Sequence, residues 1–169
     1  LGGLRARLVA AETRNLGRYG FGIKGFTLSM IETAIEVTEG AVPASVISQI
    51  IDEGQEMLVH PVQLLPHVAE VLSALAAQYP LILITKGELL DQERKLAASG
   101  LGGHFRAVHI VSDKTEGVYA RILSAEDVAP AEALMVGNSL RSDIVPMLEV
   151  GGWATHVPAA LTWEYEQAE

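Results

Sequence analysis

Three short polar segments of this sequence carry the groups that could do chemistry. They are Thr85-Lys86-Gly87, Ser112-Asp113-Lys114, and Gly137-Asn138-Ser139 with Asp143 four residues further on. Together they supply a hydroxyl, ammonium groups, a carboxamide and carboxylates. Hydroxyl and ammonium groups bind phosphoryl oxygens, and amide and carboxylate oxygens are ligands of hard divalent cations. The segments therefore predict a site for a phosphoryl group with a divalent cation.

Each polar segment comes directly after an apolar run that has the length of a buried strand. The runs cover residues 81–84, 107–111 and 133–136, and a fourth run covers residues 154–157. Helical periodicity occupies residues 66–78, 88–99, 116–124 and a last stretch that ends at residue 150. Strands that alternate with helices predict parallel βαβ units and an α/β fold. Because ligands bind beyond the carboxyl ends of such strands, we expect the polar segments to meet at one edge of the sheet.

The first third of the chain has a different pattern. Residues 1–58 show helical periodicity and no convincing strand, and Thr27 is predicted to cap the second helix of this stretch. The segment 20–25 matches G-x-G-x-x-G, but a polar helical run precedes it instead of a strand, so it predicts a turn between helices. We therefore predict two domains, a small helical one over residues 1–58 and an α/β core over residues 59–169.

Composition excludes several classes of protein. The 169 residues are 49% hydrophobic and 20% charged, which is typical of a globular chain and not of a disordered one. With no cysteine, disulfides and zinc–thiolate sites are excluded. The formal net charge of −9 argues against nucleic acid as a partner. No apolar run approaches the length of a membrane span and no secretory segment is recognisable, so we expect no membrane partner and a cytoplasmic location.

The polar segments resemble three of the four motifs of the haloacid dehalogenase-like (HAD) hydrolase superfamily. The strand that ends in Thr85, followed by Lys86-Gly87, is similar to the second motif of that superfamily, and Lys114 is similar to its third-motif lysine. Gly137-Asn138-Ser139-x-x-x-Asp143 resembles its acidic fourth motif. The resemblance runs from about residue 64 to residue 158, and residues 1–58 resemble the helical cap that the family inserts into its core.

The resemblance implies a fold, a reaction and roles for these residues. The fold would be a HAD-like Rossmannoid parallel sheet with helices on both faces, plus a small all-helical cap. The reaction would be Mg²⁺-dependent hydrolysis of a small phosphorylated metabolite through an aspartyl-phosphate intermediate. Thr85, Lys86, Gly87 and Lys114 would bind the phosphate, with Thr85 and Lys114 as catalytic residues, while Asn138 and Asp143 would hold Mg²⁺.

One motif of the family is missing from the sequence. The family's nucleophile and its acid/base partner are two aspartates spaced Asp-x-Asp at the end of the first strand, and no two of this chain's five aspartates have that spacing. In the family, that strand lies between the strands that carry the second and fourth motifs. Without it, interior N–H and C=O groups would lose their ladder partners. We therefore expect an upstream segment that carries the nucleophile, and no turnover by the chain as written.

Three other functions fit parts of the same pattern. Dehalogenation of 2-haloacids is the alternative within the superfamily, although its dehalogenases need no Mg²⁺ and the fourth-motif form here favours a metal-dependent phosphatase. A HAD-like domain without catalysis, used for binding or regulation, is a second alternative that the missing aspartates favour. A serine hydrolase with Ser139 as nucleophile and His156 as base is a third, which the residue Arg141 and the order of the triad disfavour.

Overall fold

The computed structural model describes residues 2–158, which divide into two compact units, one up to Ser112 and one from Asp113 onwards. Each unit is described by itself. Unit 1 contains helices α1 (Gly2–Tyr19), α2 (Ile23–Val37), α3 (Ala44–Val59), α4 (Val68–Ala76) and α5 (Leu89–Ser99), with strands β1 (Ile82–Lys86) and β2 (Ala107–Val111). Unit 2 contains helices α6 (Glu116–Ala125) and α7 (Val145–Glu149), with strands β3 (Leu134–Gly137) and β4 (Trp153–His156).

The first three helices of unit 1 pack in sequence order, and small side chains line their contacts. Ala11 on α1 and Ser29 on α2 are both buried, as is Gly54 on α3. A methyl group at Gly54 would lie 2.9 Å from Cγ2 of Thr27, so α3 approaches α2 at a distance that only glycine allows. Residues 2–59 therefore form helices without a strand, as their periodicity predicts. The domain boundary predicted at residue 58 falls inside unit 1 and stays a prediction.

Helix α2 begins five residues earlier than the sequence indicates. Thr27 does not cap it, because its hydroxyl donates to the carbonyl of Ile23 at 2.9 Å from within the helix. The residue before the helix is Gly22, which has φ 150° and gives no side-chain cap. The sequence-based prediction of a Thr27 cap is wrong because a glycine can begin a helix without a capping oxygen.

Strands β1 and β2 form a parallel pair in which Thr85 lies opposite Ile110 and Lys86 lies opposite Val111. Strand β1 runs to Lys86, two residues beyond the apolar run, so Thr85 belongs to the strand itself. All five residues of β1 are half-buried. The apolar run at residues 81–84 predicts a strand that is buried on both faces. In the structure, the residues of β1 are only partly buried.

Unit 2 has a small apolar core between helix α6 and the segment 140–149. Its most deeply buried members are Tyr119 and Met147, joined by Ile122, Leu123 and Ile144. Thr115 caps α6, since its hydroxyl oxygen accepts the N–H of Val118. A π-helical turn, Leu140–Ile144, precedes α7 directly.

Strands β3 and β4 form the second parallel pair, with Gly137 opposite His156. Among residues 2–158, each of the four strands pairs with one other strand, β1 with β2 and β3 with β4. Leu134 and Val136 on β3 are 61% and 55% exposed. The expectation of a further strand between those that carry Thr85 and Asn138 stays a prediction.

Within the described part of the chain, every helix is too short or too polar to cross a membrane.

Candidate active site

Thr85 lies near the end of β1 and is held by a side chain that the sequence did not single out. Its hydroxyl donates to the amide oxygen of Gln92 at 2.7 Å. Gln92 belongs to the first turn of α5, so the hydrogen bond spans the loop between strand and helix. In this state the Thr85 proton is directed to Gln92. A phosphoryl oxygen that takes a hydrogen bond from Thr85 would have to replace that acceptor.

Gly87 makes the loop between β1 and α5 tight. It has φ 150°, and a methyl group there would lie 2.7 Å from the side-chain nitrogen of Gln92, so a larger residue would displace that side chain. The N–H of Gly87 donates to the carbonyl of Val111 at 3.1 Å. The first hydrogen bond of α5 runs from the N–H of Gln92 to the carbonyl of Glu88 at 3.0 Å. Residues 89–91 therefore have no acceptor within the helix for their N–H groups, which favours an anion at this helix end.

The G-x-G-x-x-G segment lies against this loop. The ammonium of Lys86 is 3.7 Å from the centroid of the Phe21 ring, a cation–π contact. Lys24 forms an ion pair with Glu88 at 2.5 Å, and both side chains are at least one-third exposed. Residues 20–22 of the segment form the turn between α1 and α2, as the sequence predicts, whereas residues 23–25 already belong to α2. The segment also contacts both Lys86 and the start of α5.

Lys114 and Asp143 are brought together in unit 2. The Lys114 Nζ lies 2.6 Å from Oδ1 of Asp143, and the two side chains are only 11% and 5% exposed. These residues are 29 positions apart, so the ion pair depends on the fold of the unit. Two of the predicted site residues thus form a buried pair of opposite charges.

The polypeptide after β3 is shaped around the Asp143 carboxylate. Its Oδ2 accepts the N–H of Ser139 at 3.0 Å, and the Ser139 hydroxyl accepts the N–H of Ser142 at 2.9 Å. A methyl group at Gly137 would lie 2.5 Å from both Cβ and Cγ of Asp143. Glycine at position 137 is therefore required by space, which explains physically why a glycine ends this strand.

Ser139 acts as a cap and lies buried, at 5% exposure. The Nε2 of His156 donates to the main-chain carbonyl of Asn138 at 3.1 Å. A serine hydrolase would need an exposed Ser139 with His156 as its base. The hydrogen bonds of both side chains indicate structural roles instead.

Tyr119 is a further residue of this region that sequence reasoning missed. Its hydroxyl donates to the carbonyl of Ser142 at 3.0 Å, and it is 1% exposed. Burial, and next the negative charge of Asp143, raise the pKa of Tyr119 well above its ordinary range. A tyrosine five residues after Lys114 in a helix is an ordinary core residue by pattern, so the sequence holds no signal for this contact.

The oxygens of Asp143 and Asn138 fit a magnesium site of the kind that keeps its waters. Each carboxylate oxygen of Asp143 has one protein partner and retains a further lone pair. Mg²⁺ in phosphoryl-transfer sites takes one or two carboxylates, several waters and substrate phosphate oxygens. Residues 2–158 contain no cluster of three or more His, Cys, Asp or Glu side chains placed to hold a metal. By its position and its donors, Asp143 therefore fits as the one charged ligand of such a site, and Asn138 is matched to it by the chemistry of its carboxamide alone.

Comparison with known proteins adds a family and a fold. A family model for haloacid dehalogenase-like hydrolases matches residues 5–151. The crystal structure of a haloacid dehalogenase-like family hydrolase from Xanthomonas campestris is similar to this chain, with 48% sequence identity and a TM-score of 0.87. The match covers 89% of this chain and 65% of the Xanthomonas chain, so this chain spans less than two thirds of that relative. No curated protein matches the sequence.

Two more distant structures share the fold and differ in activity. One is a predicted phosphoglycolate phosphatase from Haemophilus somnus, with 18% identity over 90% of this chain and 82% of that one, and a TM-score of 0.61. The other is the L-2-haloacid dehalogenase from Xanthobacter autotrophicus with chloropropionic acid covalently bound, with 24% identity over 95% of this chain and 65% of that one, and a TM-score of 0.65. These likenesses confirm the predicted α/β fold with parallel strands and leave both activities open.

Proposed function

The chain belongs to the haloacid dehalogenase-like hydrolases, and from that premise we propose that it is part of an Mg²⁺-dependent phosphatase of a small phosphorylated metabolite. The observation that carries this proposal is the buried ion pair of Lys114 and Asp143, 2.6 Å apart. A buried carboxylate paired with a lysine is a candidate functional site, because both charged groups are kept in a place where charge is costly. Phosphoryl transfer depends mainly on positioning and charge stabilisation, which this pair can give.

Asp143 and the Asn138 carboxamide would hold Mg²⁺ in this proposal. Hydrolases of this family generally use that ion. When bound, it would neutralise charge on the phosphoryl oxygens. The ammonium of Lys114 is already within 2.6 Å of Oδ1 of Asp143, so it would add a second positive charge beside the phosphoryl group.

The proposal gives the end of β1 the role of phosphate binding. Thr85 would turn its hydroxyl from Gln92 to a phosphoryl oxygen, and the N–H groups at the start of α5 would supply further donors. Lys86 lies against Phe21, and Gly87 gives its own N–H to Val111, so Gly87 would contribute by leaving space. The helices of residues 1–58 would act as a cap over a small substrate and exclude water.

The nucleophile of this reaction would come from outside the 169 residues. An aspartate carboxylate would attack phosphorus, the alcohol would leave, and water would then hydrolyse the acyl phosphate. None of the five aspartates here stands in an Asp-x-Asp pair, and the chain spans 65% of its Xanthomonas relative. We therefore expect the natural gene product to turn over substrate and the 169-residue form to bind without turnover. A cytoplasmic location stays part of this proposal.

The test is an assay of the natural gene product with p-nitrophenyl phosphate, with Mg²⁺ and after removal of metal by EDTA. Asp143→Asn should abolish the Mg²⁺-dependent release of nitrophenol. Asp52→Asn is the matched control, because it makes the same chemical change at an exposed position on α3 and should retain activity. Chloride release from 2-chloropropionate is measured in parallel.

Each result assigns a different function. Mg²⁺-dependent phosphatase activity that Asp143→Asn alone removes supports the proposal. Chloride release that survives EDTA, without phosphatase activity, contradicts the proposal and favours a dehalogenase. Absence of both reactions contradicts it as well, and favours a domain that serves binding or regulation.

A further inference from the structure

The hydroxyl of Tyr119 links helix α6 to the turn that carries Asp143. It donates to the carbonyl of Ser142, the residue directly before Asp143, at 3.0 Å. Tyr119 and Ser142 are 1% and 4% exposed, so this hydrogen bond forms away from water. Loss of this donor would therefore remove a hydrogen bond from a site that water does not reach.

The residue at position 146 removes one of the donors that this carbonyl would have in a regular helix. In an α-helix the carbonyl of Ser142 would accept the N–H four residues further on, but that residue is Pro146, which has no N–H. The chain instead forms a π-helical turn over Leu140–Ile144, in which the N–H of Val145 reaches back to the carbonyl of Leu140. Turns of this kind are rare and are frequently found at functional sites. The Tyr119 hydroxyl thus donates to a carbonyl that position 146 cannot supply with an N–H.

We propose that Tyr119 is a positioning residue for Asp143. By holding the Ser142 carbonyl, its hydroxyl fixes the turn so that Oδ2 of Asp143 meets the Ser139 N–H and Oδ1 meets Lys114. The consequence for metal binding rests on the proposed function, because it assumes that Asp143 is the magnesium ligand. Residues that orient a metal ligand typically affect metal affinity about 10- to 100-fold when they are changed.

The variant that tests this is Tyr119→Phe, which removes the hydroxyl and keeps the ring in the core. Tyr79→Phe is the matched control, since Tyr79 is 59% exposed. Two quantities are measured on the full 169-residue chain. The first is hydrogen exchange of the Ser139 amide by NMR, which reports the position of the Asp143 carboxylate without metal. The second is the dissociation constant for Mg²⁺ alone by titration calorimetry, with Asp143→Asn as the reference for loss of the site.

We expect Tyr119→Phe to speed exchange of the Ser139 amide about tenfold beyond the other amides of unit 2, and to weaken Mg²⁺ binding about tenfold. Tyr79→Phe should change neither quantity. If Ser139 exchanges no faster than its neighbours, Tyr119 is an ordinary core residue and the inference is overturned. If the wild type binds no Mg²⁺ but Ser139 loses its protection, Tyr119 positions Asp143 and the metal part of the proposed function fails.

A second variant keeps the test decisive if Tyr119→Phe is poorly folded. Pro146→Ala restores an N–H that can reach the Ser142 carbonyl. In that background, Tyr119→Phe should fold and should have a much smaller effect on Ser139 exchange. An equal effect with and without Pro146 would contradict the proposed role of the hydroxyl.

Discussion

Substitution of Gly137 by alanine tests whether the space around Asp143 is as limited as the structure indicates. The added methyl carbon would lie 2.5 Å from Cβ and Cγ of Asp143, whereas ordinary van der Waals contact begins near 3.4 Å. The carboxylate must therefore move by about 1 Å. A shift of that size directed away from Lys114 lengthens the 2.6 Å distance between Lys114 and Asp143 to about 3.5 Å, the limit of a hydrogen bond.

The expected loss of unfolding free energy follows from two effects. Overpacking of a closely packed site costs ~1–3 kcal/mol. Breaking a buried ion pair outright costs ~3–5 kcal/mol, and a stretched pair loses part of that. We expect Gly137→Ala to lower the unfolding free energy by about 2–4 kcal/mol, a large share of the ~5–15 kcal/mol typical of a folded protein.

Urea unfolding monitored by circular dichroism measures this loss. Gly117→Ala is the matched control, because a methyl group there has nothing within 4 Å and the position lies in helix α6. Alanine favours a helix over glycine by ~0.8–1.0 kcal/mol, so the control should be stabilised. In an Asp143→Ala background the penalty of Gly137→Ala should shrink, because the ion pair is already absent. A loss below about 0.5 kcal/mol for Gly137→Ala would refute the argument from space.

Two further predictions concern helix packing and pH. Gly54→Ala should lower the unfolding free energy by ~1–3 kcal/mol, because its methyl group would meet the Thr27 side chain. In urea unfolding, the additional substitution Thr27→Ala should relieve most of that loss. Additive effects of the two substitutions would contradict this explanation. Because the pKa of Tyr119 is raised in the folded state, the folded protein holds that proton more tightly than the unfolded chain does. Its contribution to stability is therefore complete below pH ~10 and declines as pH rises above that value. In urea unfolding measured at increasing pH, the unfolding free energy of Tyr119→Phe should therefore decline less above pH ~10 than that of the wild type. An identical pH dependence of the two proteins would count against the raised pKa.

The secondary structure was predictable because it follows from local patterns. Strand β2 occupies the predicted residues, and α5 and α6 lie within one residue of the predicted bounds. Their signals are a short apolar run for the strand and helical periodicity for the helices, each of which acts over a few residues. The start of α2 could not be read in this way, because Gly22 provides backbone freedom where a capping side chain was expected.

The sequence names the residues of the candidate site, whose roles stay predictions, but it could not predict their contacts. Lys114 and Asp143 were identified one by one through a resemblance, and the structure shows that they form one buried ion pair. Gln92 and Tyr119 had no signal at all. Each side chain finds its hydrogen-bond partner only through the packing of a helix against another segment. The Tyr119 hydroxyl, for example, donates to a carbonyl 23 residues away. Local periodicity predicts burial of such a side chain, not the atom that it contacts.

The ion pair of Lys114 and Asp143 is better explained by charge balance than by stability. Removing two charges from water costs several kcal/mol for each, and apolar residues of similar volume often stabilise a fold as well or better. Alone, the pair is neutral. A magnesium ion would make the site doubly positive, and a phosphoryl dianion would make it neutral again. The lysine therefore balances the charge of Asp143 by itself, and in the proposed reaction the same ammonium would favour a phosphoryl group beside the metal. A pair kept only for packing would need neither the glycine at position 137 nor the Ser139 amide directed at the same carboxylate.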